Sequence, residues 1–308
     1  MKNIFRLFIF LFIGLTSLVS TAQIQLNLDF DIPYGNNKTV GKYVEINGAN
    51  IYYEEYGDGE PLFLIHGNSG SIIWMGDQID YFKKKYRVII ADSRGQGKFE
   101  LKTDSLTYEQ IAEDWEGLAK HLKLDSVSII GWSDGGIVGL KMGVNNKIKI
   151  KKIVSMAANL RPDSTAVHSW AIDKIKEEFD LIELKIKDND KTQNWGLKKQ
   201  LMGLVGNQPN IPITDLKKIK AKVLVMAGDE DGIKSEHSLE IYKNLQKAQL
   251  CIMPGETHFT PSSNPELFNS IADKFLSEPF KRPKSDFFYK ASRAKKTVAN
   301  TSNRCTTP

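Results

Sequence analysis

The stretch Gly131-Trp132-Ser133-Asp134-Gly135-Gly136 decides how this chain folds. An apolar, β-branched segment over 127–130 precedes it, and small apolar residues over 137–143 follow it. The pattern predicts a strand, a sharp turn and a helix, with Ser133 at the apex of the turn. Glycines two positions before and two after the serine suit such a turn, because side chains there would collide with the neighbouring strand and helix. Ser133 is therefore our candidate nucleophile.

The six-residue motif by itself is weak. Given ordinary glycine and serine frequencies, Gly-x-Ser-x-Gly arises by chance in about one chain in ten of this length. A glycine-rich turn with a solvent-facing serine is the alternative interpretation, and the rest of the chain has to decide between the two.

Apolar runs alternate with helical patterns along most of the chain, which predicts a mostly parallel sheet with helices on both faces, an α/β fold. Asn47-Gly48 predicts a hairpin turn, and Thr107 predicts the start of a helix over 107–122. A last helix is predicted over 264–277. The other predicted strands cover 43–46, 51–56, 61–65, 87–91, 152–157, 221–227 and 250–253.

Four candidate residues directly follow predicted strands: Asn68, Ser133, Asp231 and His258. Sites in open parallel sheets lie at the carboxyl ends of the strands, so these side chains are expected to meet. This shared position favours a catalytic role for the serine over a plain turn.

A serine hydroxyl is a poor nucleophile at neutral pH and needs a base beside it. We expect His258 to be that base, since it follows the last strand in a Pro-Gly turn. His66 is expected to support its loop, and His168 could line a pocket. The two remaining histidines, His121 and His237, fall on polar helix faces, where we expect them to be solvated.

The base needs an orienting carboxylate, and two candidates share one loop after a strand. We prefer Asp231, because the residue farther from the strand has more freedom to reach a histidine loop. Asp229 is the alternative.

The chain resembles an α/β-hydrolase of the single-domain type with a helical cap, over about residues 42–278. The order Ser133, Asp231, His258 is that of the superfamily. Residues 127–137 and Ala158-Asn159 are most similar to the valacyclovir hydrolase (biphenyl hydrolase-like) branch. Phe99 departs from the pattern, since the family has a small hydroxyl residue there. The other supporting motifs are His66-Gly67, Asp92-x-Arg94-Gly95-x-Gly97, Gly131-x-Ser133-x-Gly135, Gly228-Asp229-Glu230-Asp231 and Gly255-x-x-His258.

The resemblance implies an oxyanion hole made by the backbone N–H groups of Asn68 and Asp134. Two fixed amides can stabilise the charge of a tetrahedral acyl intermediate without reorganising. The Asp134 carboxylate has two interpretations: it stabilises a helix N-terminus, or it faces the acyl pocket and attracts a cationic substrate. Trp132 has two interpretations: it packs within the turn, or it forms a wall of the substrate pocket. Trp170 and Trp195 of the cap are further candidates for substrate binding.

The ends of the chain differ from its body. Residues 1–22 have a basic start, an apolar run and a small-residue stretch ending at Ala22, which predicts a cleaved signal peptide and an exported, periplasmic or secreted protein. An uncleaved membrane anchor is the alternative, although the apolar run is short for a span. The predicted organisation is then a loose lead-in over 23–41, an α/β core over 42–158 and 214–278, a helical cap over 159–213, and a basic, disordered tail over 279–308.

Charge and cysteine content limit the partners. The formal net charge of +5 comes from the two ends, and the body between them is net acidic, so nucleic-acid binding is not expected. Membrane contact is expected only through an uncleaved signal or the basic tail. Cys251 and Cys305 have no metal-type spacing and make a weak disulfide pair. We expect neither a metal nor a cofactor.

These observations predict a serine esterase that acts on small-molecule esters through an acyl-enzyme intermediate. Hydrolysis of carbon–carbon bonds, lactone opening and cofactor-free perhydrolysis could use the same three side chains. A binding protein that retains the triad without turnover is the alternative from another class.

Overall fold

The computed structural model describes residue 26 and residues 28–286. One eight-stranded sheet has the strand order β1-β2-β4-β3-β5-β6-β7-β8. The pairs β1–β2 and β2–β4 are antiparallel, and every later pair in this order is parallel. The predicted α/β fold is therefore confirmed. The strands are β1 (Lys42–Ile46), β2 (Ala49–Tyr56), β3 (Glu60–Ile65), β4 (Tyr86–Ala91), β5 (Val127–Trp132), β6 (Ile150–Met156), β7 (Lys222–Gly228) and β8 (Ala248–Met253).

Helices cover both faces of the sheet. In β3, Leu62 and Leu64 face one hydrophobic cluster while Phe63 and Ile65 face the other, so this strand is buried on both sides as its continuous apolar sequence predicts. The helices are α1 (Gly76–Phe82), α2 (Tyr108–His121), α3 (Asp134–Asn145), α4 (Ser169–Lys187), α5 (Trp195–Asn207), α6 (Ser235–Asn244), α7 (Thr260–Ser263) and α8 (Pro265–Ser277), with 3₁₀ turns at Ile72–Met75 and Ile213–Lys218.

Two local sequence signals are confirmed at atomic detail. Asn47 and Gly48 both have positive φ, 50° and 75°, as a two-residue hairpin turn between antiparallel strands requires. The Thr107 side chain accepts a hydrogen bond from the backbone N–H of Gln110, which caps α2. Both signals act within four residues, so neighbouring sequence is sufficient to specify them.

The connection from β6 to β7 contains α4 and α5, which pack against each other. The two helices differ in how they meet the core. Leu201 and Leu204 of α5 are buried in the main hydrophobic cluster, whereas Ile182 is the one buried residue of α4. Helix α5 is therefore the half of the cap that is seated on the sheet domain.

The lead-in segment is packed rather than loose, which corrects the prediction for its described part. Glu54 of β2 is fully buried, and its carboxylate accepts hydrogen bonds from the backbone N–H groups of Gly35 (2.9 Å) and Asn37 (3.0 Å). The hydroxyls of Tyr52 and Tyr56 donate to the same carboxylate. A buried carboxylate needs such donors, and half of them come from the lead-in.

The first residues of the predicted tail also contact the core. Arg282 lies over the ring of Tyr242 and donates to its hydroxyl, and Gln249 of β8 donates to the Lys281 carbonyl. These contacts depart from the disorder predicted for 279–308. The predicted signal peptide, most of the basic tail and Cys305 lie outside the described residues. Within residues 26 and 28–286, no helix is long and apolar enough to cross a membrane.

Candidate active site

Ser133 lies at a sharp turn between β5 and α3. Its φ of 56° is in a region that non-glycine residues rarely adopt, and such a conformation costs about 1–3 kcal/mol. Its backbone N–H donates to the Met156 carbonyl (2.8 Å), which fixes the turn against β6. A Cβ added at Gly131 would lie 2.1 Å from the Gly135 carbonyl oxygen, and one at Gly135 would lie 2.0 Å from that of Ile65. The turn therefore requires glycine at both positions.

Three side chains from three loops form a continuous hydrogen-bonded chain. Ser133 Oγ lies 2.8 Å from His258 Nε2, and His258 Nδ1 lies 2.7 Å from Asp231 Oδ1. The Asp231 side chain is fully buried, while that of His258 is 27% exposed. With Asp231 accepting the Nδ1 proton, Nε2 is free to take the proton of the Ser133 hydroxyl.

The charges around His258 set its protonation. Burial by itself would lower the pKa of His258, but the charge and hydrogen bond of Asp231 and the charge of Asp134 raise that pKa above its ordinary value. The neutral imidazole that a general base needs is consequently formed only at higher pH than in an isolated histidine.

Asp229, the alternative orienting acid, does not contact the imidazole in this structure. Its carboxylate accepts hydrogen bonds from the backbone N–H groups of Gly255 (2.7 Å) and Glu256 (3.3 Å). It therefore holds the turn that precedes His258, while Asp231 contacts the ring itself.

Trp132 packs within the protein, and its alternative role as a wall of the substrate pocket is not supported. Its side chain is 1% exposed, and its indole Nε1 donates to the backbone carbonyl of His258 (2.7 Å). The ring packs against Trp74 and Phe259, with centroids 5.8 and 5.9 Å apart. Trp132 thus holds the histidine loop. Trp74 and Phe259, which pack against it, are half-buried.

The loop after β3 passes directly over the serine. A Cβ added at Gly67 would lie 3.2 Å from Ser133 Cβ, so Gly67 permits this approach. Asn68 follows, and its side-chain Nδ2 donates to Asp134 Oδ2 (2.9 Å) and to the Leu201 carbonyl (2.9 Å). Asp134 is the first residue of α3, so its backbone N–H is one of the amides that a helix leaves without an internal acceptor. The two residues of the predicted oxyanion hole are therefore brought together beside Ser133.

The Asp134 carboxylate is buried, with the residue 4% exposed. The Tyr108 hydroxyl donates to its Oδ1 (2.7 Å), and Asn68 donates to its Oδ2. Burial raises the pKa of Asp134 to about 6, although these hydrogen bonds and the charge of His258 act in the opposite direction. Tyr108 was missed by the sequence analysis, because its position at the start of an amphipathic helix predicts only packing.

A sequence model of the alpha/beta hydrolase fold family matches residues 60–180, from β3 through the serine turn into the cap. Residues 60–180 therefore match this family, and the chain has the α/β-hydrolase fold. The human protein named serine hydrolase BPHL is 26% identical over 273 residues, which cover 79% of this chain and 88% of that protein. A pimeloyl-acyl-carrier-protein methyl ester esterase from Legionella pneumophila (strain Corby) is 24% identical over 251 residues, covering 74% of this chain and 99% of the relative. The crystal structure of a hydrolase from Pseudomonas aeruginosa PA01 has the same fold, with a TM-score of 0.66 at 17% identity, covering 79% and 100% of the two chains.

The two cap tryptophans of this chain differ in their surroundings. Trp195 is 8% exposed, and its indole N–H donates to Asp190 (3.0 Å), so it holds the α4–α5 connection together. Its predicted substrate contact is therefore corrected to a structural role. Trp170 is 62% exposed. It lies beside the loop that carries Asp231, since a Cβ added at Gly232 would lie 3.6 Å from its ring.

Two further histidines are buried. His66 is 1% exposed, and its burial lowers its pKa. Its Nδ1 donates to the Gly67 carbonyl and its Nε2 accepts from the Ser93 N–H, so it supports two strand-end loops. His237, which the sequence analysis placed in solvent, is also 1% exposed. Its Nε2 accepts from the backbone N–H of Leu160, at the start of the cap.

Phe99, the departure from the family pattern, has a clear local role. The Arg94 guanidinium lies 4.9 Å from the centre of its ring. Arg94 is fully buried and forms two hydrogen bonds of 2.7 and 2.6 Å with Asp114. The aromatic ring thus covers one face of a buried ion pair.

Proposed function

We propose that this protein is a serine hydrolase that cleaves small carboxylic esters through an acyl-enzyme intermediate. The observation that carries the proposal is the chain Ser133–His258–Asp231, with heavy-atom separations of 2.8 and 2.7 Å at the carboxyl ends of three strands. The names of the relatives, a serine hydrolase and a methyl ester esterase, support the same chemistry.

The reaction follows from the position of each group. His258 Nε2 takes the Ser133 proton as Oγ attacks the ester carbonyl, and the oxyanion is bound by the backbone N–H groups of Asn68 and Asp134. His258 then protonates the leaving alcohol. In the second half it activates a water molecule, which releases the acid and restores Ser133. Asp231 keeps the imidazole in the Nδ1–H tautomer and stabilises the imidazolium.

One observation is compatible with an ester substrate, and another bears on the charge of that substrate. The imidazole is partly exposed, so both a leaving alcohol and the attacking water can reach Nε2. The Asp134 carboxylate, for which we predict attraction of a cationic substrate, already accepts one hydrogen bond at each oxygen. A cation would have to use the remaining lone pairs, and comparison of amino-acid esters with neutral esters in Asp134→Ala tests that prediction.

The test uses a fluorophosphonate probe and p-nitrophenyl acetate. We expect wild-type protein to be labelled at Ser133 and to release p-nitrophenol, and both activities to be lost in Ser133→Ala. Ser69→Ala is the matched control, because Ser69 is an exposed serine one residue from the oxyanion loop. Wild-type protein that neither reacts with the probe nor turns over any ester, lactone or aminoacyl ester in a screen would refute the enzyme proposal and favour the binding protein.

The same screen separates the alternatives that share this triad. Turnover of lactones or of carbon–carbon substrates at rates above those for esters would replace the ester assignment but keep the serine mechanism. Export with removal of residues 1–22 is a separate proposal from the sequence, and N-terminal sequencing of the mature protein tests it.

A further inference from the structure

The side chain of Asn68 makes three of its four possible hydrogen bonds within the protein. Its amide nitrogen carries two hydrogens, and these go to Asp134 Oδ2 and to the Leu201 carbonyl, each at 2.9 Å. Its Oδ1 accepts from the Ser69 hydroxyl (2.8 Å). The residue whose backbone N–H is placed in the oxyanion hole is therefore held through its side chain by α3 on one side and by cap helix α5 on the other.

Helix α5 is itself fixed to the segment that precedes α2. Gln200 Oε1 accepts from the backbone N–H of Leu106 (2.9 Å), and Gln208 Nε2 donates to the Leu106 carbonyl (3.1 Å). Two residues later, the Tyr108 hydroxyl donates to Asp134 Oδ1. The contacts thus form a closed ring that runs from α5 through Asn68, Asp134 and Tyr108 and back to α5.

We propose that the Asn68 side chain is a positioning residue that makes the geometry of the oxyanion hole depend on the seating of cap helix α5. On this view α5 contributes to stabilisation of the transition state, in addition to any contact it makes with substrate. The inference rests on the proposed serine-hydrolase function and assigns a role to groups that touch no reacting atom.

The physical reason lies in the distance dependence of oxyanion stabilisation. The donors must lie about 2.7–3.1 Å from the developing oxyanion, and removal of one donor costs about 10²–10³ in kcat. The Asn68 peptide group lies in a loop between β3 and the left-handed Ser69 (φ 57°), and the two Nδ2 hydrogen bonds tie that loop to α3 and α5. A displacement of about 1 Å at such a group lowers the rate by up to about 10²-fold.

The other cap helix provides a contrast. Helix α4 has a single buried residue, Ile182, and its exposed apolar residues include Trp170 and Leu184. The ring of contacts described above involves α5 alone. The two halves of the cap are therefore expected to differ. Changes to the α5 residues that form this ring should affect chemistry, and changes on the outer face of α4 should affect it little.

The direct test is Asn68→Ala with p-nitrophenyl acetate, whose small acyl group makes minimal demands on the cap. We expect kcat to fall about 10- to 100-fold while KM changes by less than about twofold. The rate of fluorophosphonate labelling should fall by a similar factor, because the phosphonyl oxygen occupies the same hole. Ser277→Ala, at an exposed serine at the end of α8 whose hydroxyl donates to the Asp273 carbonyl, should remain within about twofold of wild type. An unchanged kcat in folded Asn68→Ala would overturn the inference.

The second test acts from a distance and separates positioning from folding. Gln200→Ala removes an anchor of α5 that contacts neither Ser133 nor the oxyanion residues, and we expect kcat and the labelling rate to fall about fivefold. In the double variant with Asn68→Ala, Gln200→Ala should cause no further loss, since the coupling is already broken. Lys199→Ala, on the same turn of α5, breaks an ion pair with Glu183 of α4 and should leave kcat unchanged.

Additive losses in the double variant, or a Gln200→Ala protein with lowered Tm and normal kcat, would refute the coupling. If Asn68→Ala does not fold, the labelling rate of Gln200→Ala compared with that of Lys199→Ala decides the matter. Failure of this inference is distinguishable from failure of the proposed function. An active wild type with insensitive variants refutes only the coupling, whereas a wild type that neither labels nor turns over refutes both.

Discussion

Replacing Asp231 by asparagine tests the assignment of the orienting acid. The Asp231 side chain is fully buried, and its Oδ1 accepts both the Nδ1 proton of His258 (2.7 Å) and the backbone N–H of Ile233 (2.9 Å). Its Oδ2 is buried without a hydrogen-bond partner among the described residues. An asparagine oxygen can therefore replace Oδ1, but the amide NH₂ then takes the place of Oδ2 and finds no acceptor.

The opposite orientation of the asparagine is also unfavourable. Its NH₂ would face the Ile233 N–H, donor against donor, and would force His258 into the Nε2–H tautomer, which cannot accept the Ser133 proton. In either orientation the negative charge that stabilises the imidazolium is lost. We expect kcat/KM to fall about 10³- to 10⁴-fold, equivalent to about 4–5.5 kcal/mol of transition-state stabilisation.

The assay is hydrolysis of p-nitrophenyl acetate over a range of pH. Because Asp231 raises the pKa of His258, its neutralisation lowers that pKa and moves the acid limb of the residual activity toward lower pH. Asp229→Asn is the matched control: its oxygen can still accept from Gly255 and Glu256, and we expect a loss of less than about threefold. Two results would refute the assignment. One is an Asp231→Asn enzyme that keeps a tenth or more of wild-type activity, and the other is an Asp229→Asn enzyme whose activity falls by more than about threefold.

Three further predictions concern charge and packing around the site. In wild type, kcat/KM should rise with pH through an apparent pKa above 6.5, because neutral His258 is the active form, and Asp134→Asn should move this midpoint to lower pH. Trp132→Phe removes the N–H that donates to the His258 carbonyl together with part of a buried ring, and we expect kcat to fall about tenfold with a loss of at least about 1–2 kcal/mol of stability, measured by urea unfolding. Asp114→Ala leaves the Arg94 guanidinium buried and unpaired, which should cost about 3–5 kcal/mol in the same unfolding assay.

The second and third of these predictions each have a control elsewhere in the chain. Trp195→Phe breaks a comparable indole bond within the cap, so it should lower Tm without a similar loss of kcat. Glu113→Ala breaks an exposed ion pair with Lys147 and should change stability by less than about 1 kcal/mol. An acid limb with its midpoint at or below pH 6.5 in wild type would contradict the reasoning on His258. Equal kcat losses for the two tryptophan variants would contradict the role of Trp132. Equal destabilisation by the Asp114 and Glu113 variants would contradict the role of the buried ion pair.

Features that depend on neighbouring residues could be predicted from the sequence. The Asn47-Gly48 turn and the Thr107 cap are specified within four residues. The strands are continuous apolar runs that can be buried on both faces, and Gly131 and Gly135 mark the close approach of backbone that the serine turn requires. Such signals survive in a single sequence because their physical cause is local.

Features that depend on distant residues were missed or assigned wrongly. For Trp132 the sequence left packing and a pocket wall as alternatives, because its indole finds its acceptor 126 positions away, at His258. His237 lies on a helix face whose sequence predicts exposure to solvent. The side chain is nevertheless buried, and its Nε2 accepts from the backbone N–H of Leu160, 77 positions away. Tyr108 and the packed lead-in were missed for the same reason, since their partners, Asp134 and Glu54, are remote in the chain.

The sequence by itself determined the α/β architecture, the serine turn and the order in which the three candidate catalytic side chains occur, because strand ends in a parallel sheet converge on one edge. It favoured Asp231 over Asp229 only because Asp231 lies farther from the strand, since both follow β7 on one loop. Only the tertiary structure decided that Asp231 reaches the imidazole while Asp229 binds the backbone before it. The path of that loop against the turn before His258 is a long-range packing outcome, and residue spacing does not encode it.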